Sequence, residues 1–131
     1  MYMDPVVHFE IPVDDLGRAR KFYALFGWEL QDYPMPGGMQ YVGIRTTPVD
    51  EKTHMPTKPG AINGGMMMRT DKVKSPVFAI TVSSVDQYVK KVEAAGGRLV
   101  TPKVEIGGMG YYAYVSDTEG NVVGLWEDMK K

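Results

Sequence analysis

Residues 5 to 13 alternate in character. Val7, Phe9, Ile11 and Val13 fall on one side of an extended chain, and His8, Glu10 and Pro12 fall on the other. The pattern predicts a strand with one apolar face and one face turned to something polar or to a cavity. Asp14-Asp15 follows and suits a helix start. Leu16, Ala19, Tyr23 and Phe26 then recur at helical spacing, and Gly27 is the expected stop, since glycine takes the left-handed cap at no steric cost. Trp28 to Tyr33 reads as a second strand, Pro34 to Gly38 as a turn, and Met39 to Thr46 as a third strand.

The same pattern returns. Phe9-Glu10-Ile11-Pro12-Val13 aligns with Phe78-Ala79-Ile80-Thr81-Val82, and Asp14-Asp15 with Ser83-Ser84. Ser83 with Asp86 fits a capping box. Val85, Tyr88, Val89 and Val92 repeat the helical stripe, and Gly27 aligns with Gly96. Gly37 to Tyr41 aligns with Gly107 to Tyr111, and Asn63 with Asn121. The first half carries an extra segment, Thr47 to Gly60, expected to be a lid or a dimer arm. An internal repeat of strand, helix, strand, strand, strand results. The expected fold is α+β: one domain over residues 1–131, made of two tandem βαβββ modules at 5–69 and 75–128. Their curved mixed sheets are expected to surround a cleft, with the helices on the outer faces.

Composition narrows the chemistry. The chain of 131 residues has no cysteine, which excludes disulfides, thiolate metal sites and thiol nucleophiles. A net charge of −1 gives no concentrated basic face, so nucleic acid is not an expected partner. There is no apolar run of membrane-spanning length and no secretion-signal pattern at the start, so a soluble cytoplasmic protein is expected. Eight tyrosines and ten methionines suit an adaptable apolar cavity as well as an ordinary core. Gly107-Gly108-Met109-Gly110 lacks the Lys-Ser/Thr of a phosphate loop and reads as a hairpin connection.

The first-strand histidine before IPVDDLGRARKFYALFGWEL, together with the closing DTEGNVVGLWE, resembles the vicinal oxygen chelate superfamily. That group includes glyoxalases, bleomycin- and fosfomycin-resistance proteins and extradiol dioxygenases. AINGGMMMR looks like the fourth-strand segment of one of its subgroups. The resemblance implies a homodimer, and a divalent metal held by side chains from the first and fourth strand of each module. His8 matches the first such position. Val77, a residue near Met66, and Gly124 stand at the other three and do not match. Since a catalytic divalent ion needs about three nitrogen or oxygen ligands, no metal and no other cofactor is expected.

Other roles remain for these residues. His8 and Glu10 are the candidate catalytic pair, an acid–base couple beside a carbonyl. Alternatively they are wall residues, with Glu10 paired to His8 or Arg45. Trp126 shares strand parity with Gly124. With Tyr41, Tyr111 or Tyr112, Met66 and Met68 it is a candidate ligand-binding wall, and Tyr112 is the preferred member of its pair. The leading expectation is a metal-free protein of bleomycin-resistance type that binds a small apolar or aromatic molecule. A glyoxalase-type lyase or isomerase using His8 and Glu10, with or without a metal, is the alternative. An assembly module for a protein partner is the third.

Overall fold

A computed structural model describes residues 3–129, apart from the side chain of Pro36. The chain divides into two compact units, one spanning His8–Pro76 and the other formed by residues from Val77 onward together with those up to Val7. The repeat is present in both.

The first module runs β1 (Val6–Val13), α1 (Leu16–Tyr23), β2 (Glu29–Pro34), β3 (Gln40–Arg45) and β4 (Asn63–Met68). Its strands lie in the order β2-β3-β4-β1. β1 and β4 pair in parallel, and the other pairs are antiparallel. The alternation in β1 has the expected effect. Phe9, Ile11 and Val13 pack with Val42, Ile44 and Met66 against Leu16, Ala19 and Tyr23 of α1 and against Trp28. Asp15 caps α1 by accepting from the Arg18 N–H at 2.9 Å. Beyond Tyr23 the helix tightens into a 3-10 turn at Ala24–Phe26, and Gly27 ends it at φ 76°. Tyr23 stacks on Trp28 with ring centroids 5.6 Å apart and planes 3° apart. Phe22, Leu25 and Phe26 stay exposed beside them.

The second module runs β5 (Val77–Thr81), α2 (Val85–Ala94), β6 (Arg98–Ile106), β7 (Gly110–Ser116) and β8 (Val122–Asp128). The order is β5-β8-β7-β6, the same plan as the first. β5 pairs with β8 in parallel, and β8–β7 and β7–β6 are antiparallel. Val82, Ala113, Val115, Val123 and Leu125 pack on Val85, Tyr88, Val89 and Val92 of α2. The α2 cap is Ser84, which accepts from the Gln87 N–H. The capping position expected at Ser83 is therefore one residue further along. Glu127 adds a second acceptor, taking the Val85 N–H at 2.8 Å. β6 ends the order, and its pairing with β7 is irregular between Leu99 and Val104. Pro102 lies in that stretch and has no N–H to offer a ladder.

The Thr47 to Gly60 segment is organised. Val49 bridges Pro56. Asp50 accepts from the N–H groups of Lys52 and Thr53 at 2.8 and 3.0 Å. Those bonds hold its carboxyl below the usual carboxylate range. His54 in this segment is exposed and has φ 60°. No helix among the described residues is long and apolar enough to cross a membrane.

Candidate functional site

Register decides which side chains meet. β1 and β4 set His8 level with Asn63, Glu10 with Gly65, and Pro12 with Met67. β3 sets Tyr41 level with Met67, and β2 sets Tyr33 level with Tyr41. Residues level across a sheet share a face. His8, Glu10, Tyr33, Tyr41 and Met67 therefore lie on the face away from α1, as the parity of β1 requires.

Tyr41 joins the two candidate residues. Its hydroxyl donates to Glu10 Oε2 at 2.8 Å and lies 3.0 Å from His8 Nε2. His8 and Glu10 are thus coupled through a phenol. Glu10 is only 3% exposed, and the phenol hydroxyl replaces hydrogen bonding that it would have had from water. Burial lowers the proton affinity of His8 below its ordinary value, and the Glu10 charge opposes this in part. The imidazole is consequently neutral at neutral pH. The arrangement can accept a hydrogen bond or a proton at the histidine and spread the resulting charge toward the carboxylate.

The other candidates divide by face. Tyr112 and Trp126 stand level across β7 and β8, with ring centroids 6.2 Å apart. Tyr114 joins Tyr112 edge-on at 4.9 Å. These rings share the helix-free face of the second module, and all three are partly buried. Trp126 donates its indole N–H to Asp128 at 2.7 Å. Tyr111 has the opposite parity and packs with the helix-side core. Met66 differs from the expectation. It is 0% exposed and belongs to the core under α1, on the opposite side of the sheet from His8. Met68 has the parity of Met66 and is 40% exposed. Met67 is the methionine on the His8 face, because the fourth-strand assignment was one residue out of register. A groove of about 410 Å³ also opens in the first module, lined in part by Leu16, Arg20, Asp32, Tyr33, Gln40 and Tyr41.

The residues present do not fit a divalent metal. In the first module the fourth-strand neighbours of His8 and Glu10 are Asn63 and Gly65. Asn63 is engaged elsewhere: its Oδ1 accepts from the Thr46 and Thr47 N–H groups, and its amide donates to the Thr47 carbonyl. In the second module the corresponding positions are Val77 and Ala79 on β5, with Val122 and Gly124 on β8. None of these four has a donor side chain. Among the described residues no three His, Asp or Glu side chains gather where they could hold an ion.

Comparison with known proteins agrees with this architecture. The family described as bleomycin resistance protein-like N-terminal matches residues 6–47. A Mycobacterium tuberculosis protein named "Putative glyoxylase CFP32" is 33% identical over 122 residues, covering 90% of this chain and 43% of that protein. A Streptomyces peucetius protein named "Anthracycline biosynthesis protein DnrV" is 26% identical over 129 residues, covering 90% of this chain and 45% of that one. The chain thus spans less than half the length of these relatives. Among solved structures, a glyoxalase I variant from Zea mays aligns with a TM-score of 0.67 at 17% identity, over 98% of this chain and 45% of that one. A glyoxalase/bleomycin resistance protein/dioxygenase superfamily member from Vibrio splendidus aligns with a TM-score of 0.60 at 15% identity, over 96% and 100% of the two chains. Two βαβββ modules of one topology, a first-strand histidine on the helix-free face and these likenesses together support a place in the vicinal oxygen chelate superfamily.

Proposed function

We propose that the protein binds a small aromatic molecule on the helix-free face of its sheet, without a metal ion. The observation that carries this reading is the aromatic surface of the second module, where Tyr112, Tyr114 and Trp126 form one ring cluster away from α2. Partly buried aromatic rings offer large flat contact at small entropic cost. The donor-poor first- and fourth-strand positions support the metal-free half of the reading. The relatives support the ligand class. One is named for anthracycline biosynthesis, and anthracyclines carry fused aromatic rings. A thermal-shift screen of planar aromatics tests the reading. A ligand at a hundred times its dissociation constant adds about 2.7 kcal/mol to stability. If no member of a chemically broad aromatic set raises the melting temperature, the reading fails.

A second reading is favoured by the His8–Tyr41–Glu10 chain: a glyoxalase-type lyase or isomerase in which His8 takes a proton beside a carbonyl. Turnover of an α-keto aldehyde or its thiol adduct, lost in His8→Leu, would favour this reading over simple binding. We also propose that the chain forms a homodimer. The support is the likeness to the vicinal oxygen chelate superfamily, in which modules sometimes pair across chains. Sedimentation equilibrium giving a monomer would remove that proposal.

A further inference from the structure

We infer that His8 presents its Nδ1 lone pair to ligand, as the acceptor for the hydroxyl of a bound phenol or enol. The inference rests on the aromatic-ligand reading and applies it to the helix-free face of the first module.

The direction of donation determines the state of the ring. A carboxylate only accepts, so the Tyr41 O–H points at Glu10 Oε2. The Tyr41 oxygen is then left with its lone pairs toward His8 Nε2, 3.0 Å away. Nε2 must carry the proton for that contact to be a hydrogen bond. In a neutral imidazole the other nitrogen is then bare. Among the described residues His8 makes no other hydrogen bond. No buried side-chain nitrogen or oxygen among them lacks a partner. Nδ1 therefore keeps some contact with solvent rather than being fully buried and unsatisfied.

A bare, accessible imidazole nitrogen selects by hydrogen-bond sense. It attracts a ligand that brings a donor and disfavours one that brings only carbonyl or carboxylate oxygens. Acidic hydroxyls are the best donors for it, because bond strength rises as the proton is more loosely held. Burial keeps the ring neutral and so preserves the lone pair at neutral pH. Tyr41 supplies aromatic surface next to the acceptor, and Tyr33 lies further along the same face. Tyr41 is a positioning residue here: it fixes the tautomer.

The test uses β-naphthol and its methyl ether, which have the same ring and differ in the donor. By calorimetry the wild-type chain is expected to bind the naphthol about tenfold more tightly than the ether, the worth of one good hydrogen bond. His8→Leu is expected to bind both alike. Tyr41→Phe, which keeps the ring, is expected to reduce the preference. Equal affinity for the two compounds in the wild type overturns this inference and leaves aromatic binding standing. Binding of neither compound overturns both. Nitrogen NMR of the unliganded wild-type chain needs no variant, and the His8 signals are assigned by their loss in His8→Leu. A neutral ring protonated at Nε2 is expected, and one protonated at Nδ1 overturns the inference.

Discussion

The Tyr41 hydroxyl fills the space into which a Cβ on Gly65 would project. The second module repeats the relationship, with Tyr112 over Gly124. Each tyrosine stands level with the residue two places beyond its glycine: Tyr41 with Met67, and Tyr112 with Trp126. The repeat thus preserves a tyrosine leaning over a strand glycine. In both modules a phenol occupies the fourth-strand volume on the helix-free face where a metal-binding side chain would have to start.

Gly65→Ala is therefore expected to destabilise the protein, although alanine normally outperforms glycine in a strand. The tyrosine ring must swing away, which breaks the bonds to His8 and Glu10. The expected cost is about 1–3 kcal/mol, the usual range for overpacking. Urea unfolding measures it. Gly64→Ala is expected to cost more, because its Cβ meets the Phe9 carbonyl as well as the Phe9 ring, and backbone cannot rotate aside. A neutral or stabilising Gly65→Ala would show that the ring moves freely.

Much of this was legible in the sequence, and the failures share one cause. The parity of His8 and Glu10 follows from a single alternating strand, and no tertiary contact was needed to read it. The repeat, the Asp15 cap and the Gly27 stop are also local signals. Register between strands is not local. Aligning Gly37–Tyr41 on Gly107–Tyr111 paired Tyr41 with Tyr111, whereas cross-strand register pairs it with Tyr112. The same slip sent Met66 to the pocket side and placed the first-module counterpart of Gly124 one residue past Gly65. One residue of error reverses a side chain's face. The Tyr41 bridge was invisible for another reason. Tyr41 lies 31 residues from Glu10 and 33 from His8, and only the β3–β4–β1 order brings them together.

The helix caps give a sharp local test. Ser84→Ala is expected to cost about 1 kcal/mol, since it leaves the Gln87 N–H without its side-chain acceptor. Ser83→Ala is expected to change stability by less than half of that, because Ser83 is exposed and outside the cap. Paired thermal melts of the two variants distinguish the positions. Equal losses would contradict the Ser84 assignment.

Stability should also depend on pH through His8. Its folded-state proton affinity lies below the ordinary value of 6.5, with burial as the main cause. As pH falls through 6.5, the unfolded chain takes up the proton before the folded chain does. The unfolded state then binds more protons, so stability drops with falling pH. The loss is complete once pH is below the folded-state value, and there is no contribution above 6.5. Denaturant titrations across this window should show a positive slope of stability with pH that is shallower in His8→Leu. An unchanged slope in the variant would mean that other groups produce it.

Asn63 provides the last test, because it stands level with His8 yet works away from it. Its side chain satisfies the N–H groups of Thr46 and Thr47 and the Thr47 carbonyl, and so closes the base of the segment between β3 and β4. Thr47 is 7% exposed, so its backbone groups cannot turn to water instead. Asn63→Ala is expected to cost about 1–3 kcal/mol, the penalty for leaving buried donors unmade. It is also expected to speed proteolytic cleavage within residues 47–60, where ties remain through Asp50, through Thr57 to the Pro48 carbonyl and through the Val49–Pro56 bridge. Asn63→Asp keeps the acceptor but replaces the amide donor with a charge facing the Thr47 carbonyl, so it should lose stability too while protecting the segment better than alanine. If Asn63→Ala leaves the cleavage rate unchanged, the ties of Asp50 and Thr57 and the Val49–Pro56 bridge hold the segment without it.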